Sequence, residues 1–117
     1  MATSLGRFLR KLRIDHDEIL INMADKLGVS ASFLSAVENG KKRMPAEWNI
    51  KICELYTLNM QQQEEFTKAI AETEKKMEID LADANFKERE LAISFARKFS
   101  DINDSQIDEI RKILYGG

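Results

Sequence analysis

The chain has 117 residues, 44% of them hydrophobic and 32% charged, with a formal net charge of −2. That length is enough for one domain, or one domain with an appendage, and the charged content suits a soluble cytoplasmic protein. No apolar run approaches the roughly 20 residues of a membrane span, and the charges inside "MATSLGRFLRKLR" argue against a secretory signal. A single cysteine, Cys53, and a single histidine, His16, exclude an internal disulfide and argue against a zinc site or a thiol–imidazole pair.

Leu5, Phe8, Leu9 and Leu12 follow the spacing of a helical stripe, with Ser4 as its N-cap. A second helix is expected over about Ile19 to Leu27, closed by Gly28. Ser30 reads as the N-cap of a third, Ala31 to Asn39, stopped by Gly40; Val29 and Leu34 form a hydrophobic staple across its start. Pro45 suits the first turn of a fourth helix on which Trp48, Ile52 and Leu55 share a face. Asn59 with Gln62 opens a fifth, carrying Phe66 and Ile70. Trp48 and Phe66 are read as core.

After Thr73 the pattern changes. In "KKMEIDL", Met77, Ile79 and Leu81 alternate with Glu78 and Asp80, which is the period of a strand. Asn85 with Glu88 starts a helix bearing Leu91, Phe95 and Phe99, and a last helix from about Ser105 aligns Ile107, Ile110 and Leu114. The expected fold is all-α: a five-helix, lambda-repressor-like unit over 1–73, then a short strand and two further helices in an α-rich dimerisation extension over 74–117. A lone strand leaves its backbone unpaired, so the expected partner of Met77, Ile79 and Leu81 is the same segment of a second copy.

Two short helices joined by "LGVS" have the form of a helix-turn-helix. On the second of them Phe33, Leu34 and Val37 face the core, while Ser32, Ser35, Ala36 and Asn39 share the opposite face. Small and polar side chains there let a helix enter a major groove. Lys41, Lys42 and Arg43 follow at once, where a phosphate backbone would pass. Residues 1–60 hold 9 Lys and Arg against 7 Asp and Glu, whereas 61–117 hold 9 against 13. The basic half therefore carries the motif.

The segment "MADKLGVSASFLSAVENGKKRMP" resembles the Xre, or Cro/phage-repressor-like, helix-turn-helix family, over about residues 4 to 58. The resemblance implies a transcriptional regulator that binds double-stranded DNA as a homodimer, a repressor, with no cofactor, no metal and no enzymatic activity. It places recognition-helix contacts at Ser30, Ala31, Ser32, Ser35 and Ala36, and backbone contacts at Asn39, Lys41, Lys42 and Arg43. It also implies that Arg13 pairs with Glu38. Leu20 stands where the family usually has a phosphate-binding glutamine, and Ala31 and Ala36 replace long base-reading side chains. Specificity would then rest on thymine methyls and DNA shape. An alternative within the same resemblance is an antitoxin that autoregulates its operon and binds a toxin through residues 60–117. A further alternative is a protein-binding module that has kept the fold and lost DNA binding.

Overall fold

The first helix forms where the stripe requires it, and the computed structural model, which describes residues 2–116, shows what it packs on. Helix α1 (Ser4–Asp15) buries Leu5, Leu9 and Leu12 and is capped by Thr3, whose hydroxyl accepts from the Gly6 amide. The cap therefore lies one residue ahead of Ser4. Helix α2 (Leu20–Leu27) ends at Gly28 in the left-handed conformation, φ 72°. Helix α3 (Ala31–Glu38) begins at Ser30, whose hydroxyl accepts from Phe33 N. Helix α4 (Trp48–Leu55) starts three residues beyond Pro45, which lies in the turn before it. Trp48 and Ile52 are buried, but Leu55 is exposed, and Tyr56 continues the buried face instead.

Helix α5 (Met60–Thr73) opens on the reciprocal Asn59–Gln62 capping box and packs chiefly along α1. Phe66 is buried, with its ring stacked on Phe8 at 5.1 Å between centroids. The Thr73 hydroxyl accepts from Leu5 N at 3.1 Å, so the end of α5 caps the start of α1. Trp48 and Met23 complete one core across the five helices. Of order 1.5–3 kcal/mol attends each fully buried large side chain, which makes this core the main source of stability in the unit Met1–Glu78.

No strand is present among the described residues, and this corrects the expectation for "MEIDL". The segment is an unpaired tether, with Met77 74% and Ile79 63% exposed. Alternation can specify a strand only where one side becomes a buried face and the backbone finds a ladder; here neither condition is met. Its acidic side is drawn elsewhere, Glu78 reaching Arg43. Asp80 then accepts from Ala82 N at 2.9 Å and turns the chain toward the next helix.

The second unit, Ile79–Gly117, contains α6 (Phe86–Lys98), a 3-10 turn (Phe99–Asp101) and α7 (Asp104–Leu114). Both helices start with complete capping boxes, Asn85–Glu88 and Asn103–Gln106. Neither buries a residue. Leu91, Phe95, Phe99, Ile107, Ile113 and Leu114 are all exposed. The chain is all-α over its described residues, and no helix among them is long and apolar enough to cross a membrane.

Candidate nucleic-acid interface

The turn between α2 and α3 is tight because Gly28 takes a positive φ, which lets Val29 N reach back to Ala24 O at 3.0 Å. Lys51 on α4 donates to the Leu27 carbonyl at 3.2 Å, holding the end of α2 from a third helix. Leu34 and Val37 anchor α3 in the core, and Phe33 meets Trp48 edge-on at 6.1 Å.

The outward side of α3 carries small groups. Ser32 is exposed, while Ser35 and Ala36 are half-buried, as is the C-cap residue Asn39. Asn39 Nδ2 donates to Ser35 Oγ at 3.4 Å, so these two side chains already engage each other. Ala31 packs partly against the core, leaving it less surface than Ser32. Ser30 is exposed, but its hydroxyl is committed to the helix cap.

The basic loop folds back over the end of α3, because Lys41 N and Lys42 N both donate to the Ala36 carbonyl, at 2.8 and 3.2 Å. Gly40, at φ 75°, makes that reversal possible. All three cations are exposed. Lys41 and Lys42 form no ion pair among the described residues, whereas Arg43 meets Glu78 at 2.7 Å. Glu74 accepts from Met44 N at 3.0 Å, so two carboxylates four residues apart hold the far side of the loop. Neither contact is legible in the sequence, where Glu74 and Glu78 look like ordinary solvated charges. Nothing local marks a contact across 30 or more positions.

Beneath the loop, Arg13 and Glu38 form a bidentate ion pair, Nη1 to Oε2 and Nη2 to Oε1, with Nη1 also 3.5 Å from Met23 Sδ. The residues are only 7% and 8% exposed. The Glu38 carbonyl accepts from both the amide and the hydroxyl of Thr3, each at 3.0 Å. Gly6 lies so close that an added Cβ would sit 2.2 Å from that same oxygen. Three features of α1 thus converge on the last residue of α3.

A second polar cluster braces the start of α2. Tyr56 donates to Glu18 Oε1 at 2.6 Å, and Lys26 pairs with Oε2 of the same carboxylate while lying over the Tyr56 ring. His16, exposed, meets Tyr56 edge-on. Desolvation works to raise the Glu18 pKa, but the hydrogen bonds from Lys26 and Tyr56 outweigh it and hold the carboxyl below its ordinary value of 4.5. Tyr56 moves up, through desolvation first and the Glu18 carboxylate second. Cys53 is a free, half-buried thiol raised by desolvation.

Among the described residues no group of three or more His, Cys, Asp or Glu could hold a metal ion. Among the described residues Met77, Ile79 and Leu81 form no strand or sheet. Set against family models, curated proteins and solved structures, the chain finds no match in any of the three.

Proposed function

We propose that the chain is a sequence-specific, double-stranded-DNA-binding transcriptional regulator of the Xre type, a cytoplasmic repressor acting as a homodimer. The observation that carries this reading is the pairing of α3 with its loop: a helix anchored by Leu34 and Val37 presents small side chains outward, and free cations follow directly. Ser32, Ser35 and Ala36 face the base edges, and Lys41 and Lys42 take the flanking phosphates. Base readout through hydrogen bonds is thin, because the outward side chains are short and the Ser30 and Ser35 hydroxyls already accept from Phe33 N and Asn39 Nδ2, leaving each its O–H to donate. Shape readout and methyl contacts fill the remainder. Two copies bind half-sites one helical turn, about 34 Å, apart.

The test is selection of bound duplexes from a random or genomic pool, followed by a salt titration on the enriched sequence. Replacing Lys41 and Lys42 by Ala lowers affinity for all sequences alike and flattens the log–log salt slope by about 0.9 per lost phosphate contact. Ala36→Glu abolishes binding while helicity is kept. No enrichment at low salt, or an unchanged slope, refutes the reading. The antitoxin alternative draws on the exposed apolar side chains of α6 and α7; co-purification of a stoichiometric second protein when the neighbouring gene is co-expressed would favour it.

A further inference from the structure

Helix α1 does more than clamp the end of α3; it also borders the face that α3 presents. The N-cap Thr3, Gly6 and Arg13 lie along one stripe of α1, at 3.6 residues per turn, and all three meet Glu38. Arg10, four residues beyond Gly6 and three before Arg13, belongs to the same stripe and is exposed. On α3, Ser35 precedes Glu38 by three residues and so borders the side held by α1. Asn39 is bonded to Ser35 there, while Phe33, against Trp48, marks the opposite flank. The outward face of α3 therefore has Arg10 along one edge.

Helical side chains lean toward the N-terminus and cover the turn before their own Cα. For Arg10 that turn is the one at Gly6, where glycine leaves the surface of α1 bare against the end of α3. The basic loop begins at the same seam, since a Cβ on Gly40 would meet Thr3 Cγ2 at 3.0 Å. Arg10 thus stands beside the start of the loop that carries Lys41 and Lys42.

The other exposed cations of α1 are occupied. Arg7 donates to the Ala2 carbonyl at 3.0 Å and to Ser4 Oγ at 3.3 Å, within its own turn. Lys11 lines a groove toward α5 together with Asp15, four residues on, and Glu65. Arg10 has neither kind of partner. Its neighbours on the helix surface, Gly6, Arg7, Arg13 and Ile14, include no carboxylate, and it forms no ion pair among the described residues. A guanidinium free at the rim of a helix face offers a planar fork of donors that matches a phosphate.

We propose that Arg10 is a further DNA-phosphate contact, holding the backbone along the α1 edge of α3 while Lys41 and Lys42 hold it beyond the C-terminal end. This contact deepens the DNA reading above and rests on it. It fixes the register of α3 in the groove and carries no base preference. The same cation could instead neutralise the negative C-terminal end of the α3 dipole. The two roles separate in measurement, because a dipole contact acts on stability with no DNA present and a phosphate contact acts on DNA affinity.

The test uses the full chain and the duplex enriched by the selection above, titrated in salt by fluorescence anisotropy. Arg10→Ala lowers affinity about tenfold, for enriched and scrambled duplexes alike. It flattens the log–log salt slope by about 0.9 and leaves the urea midpoint of the free protein unchanged. Arg10→Lys keeps the slope, because the charge remains. Lys11→Ala, on the α5 side of the same helix, does not change the slope. Adding Lys42→Ala to Arg10→Ala doubles the loss to about 1.8, as two separate phosphates require. An Arg10→Ala slope equal to wild type, an equal flattening by Lys11→Ala, or a lowered urea midpoint with no change in slope overturns the assignment. If Lys42→Ala flattens the slope and Arg10→Ala does not, the DNA reading stands and only this contact falls. If wild type enriches no duplex, both fall.

Discussion

Removing the carboxylate of Glu38 tests the architecture beneath the candidate interface. The Arg13 guanidinium is almost wholly enclosed and makes two bonds to that carboxylate; in Glu38→Ala it has only Met23 Sδ, a weak acceptor, within reach. Stranding a buried charge costs about 3–5 kcal/mol. The unit Met1–Glu78, at the usual ~0.05–0.15 kcal/mol per residue, holds about 4–12 kcal/mol in all. The loss is therefore at least about a quarter of its stability. With a urea slope near the low end for small domains, about 1 kcal/mol per molar, the midpoint falls by about 3 M or more. The partner experiment is Arg13→Met with Glu38→Leu, which removes both charges together. Because a buried pair is often neutral against apolar replacements of similar size, the double variant recovers most of the loss, a coupling measurable in a double-mutant cycle. Urea unfolding followed by tryptophan fluorescence reads it directly, since Trp48 is the only tryptophan and lies in the same core. A Glu38→Ala midpoint within error of wild type would refute the reasoning.

Gly6→Ala, whose new Cβ would press on the Glu38 backbone at 2.2 Å, destabilises the same unit by about 1–3 kcal/mol; equal melting temperatures would show that α1 and α3 can separate freely. Glu78→Gln frees Arg43 and, because exposed pairs are worth at most about 1 kcal/mol, raises affinity for DNA by no more than about fivefold while steepening the salt slope. An unchanged slope would mean that Arg43 does not meet phosphate. The depressed Glu18 pKa contributes stability that is fully present above 4.5, its ordinary value, and is lost as the pH falls through the lower native one. Glu18→Gln therefore narrows the stability gap between neutral and acid pH, and identical acid profiles by circular dichroism would exclude this.

Most of the helical boundaries were written locally. Gly28, Ser30 and the Asn–Gln and Asn–Glu capping boxes are short-range devices, and each places a helix end within a residue or two. Two kinds of information were not local. Period-two alternation in "MEIDL" is shared by strands and by tethers, and only the distant basic loop, by taking Glu78, distinguishes them. The stripes on α6 and α7 have the same spacing as those of buried helices, so spacing alone could not show that Leu91, Phe95 and Leu114 stay in water. On α3 the outward positions follow from periodicity; that Ser30 and Ser35 are already engaged requires coordinates.

The convergence of Thr3, Gly6 and Arg13 on Glu38 also fixes the aim of α3. Eight residues of helix are about 12 Å long, so a tilt of about 10° at the clamped end sweeps the opposite end by about 2 Å. That end carries Ser30, Ala31 and Ser32. A displacement of that size is most of a hydrogen-bond length. Short side chains have no reach with which to absorb it, unlike a long glutamine or arginine that can bend toward a misplaced base. In the proposed DNA reading, a helix face of serine and alanine must be pointed accurately, and the rigid clamp at Glu38 supplies the fixed aim that such short side chains cannot correct for.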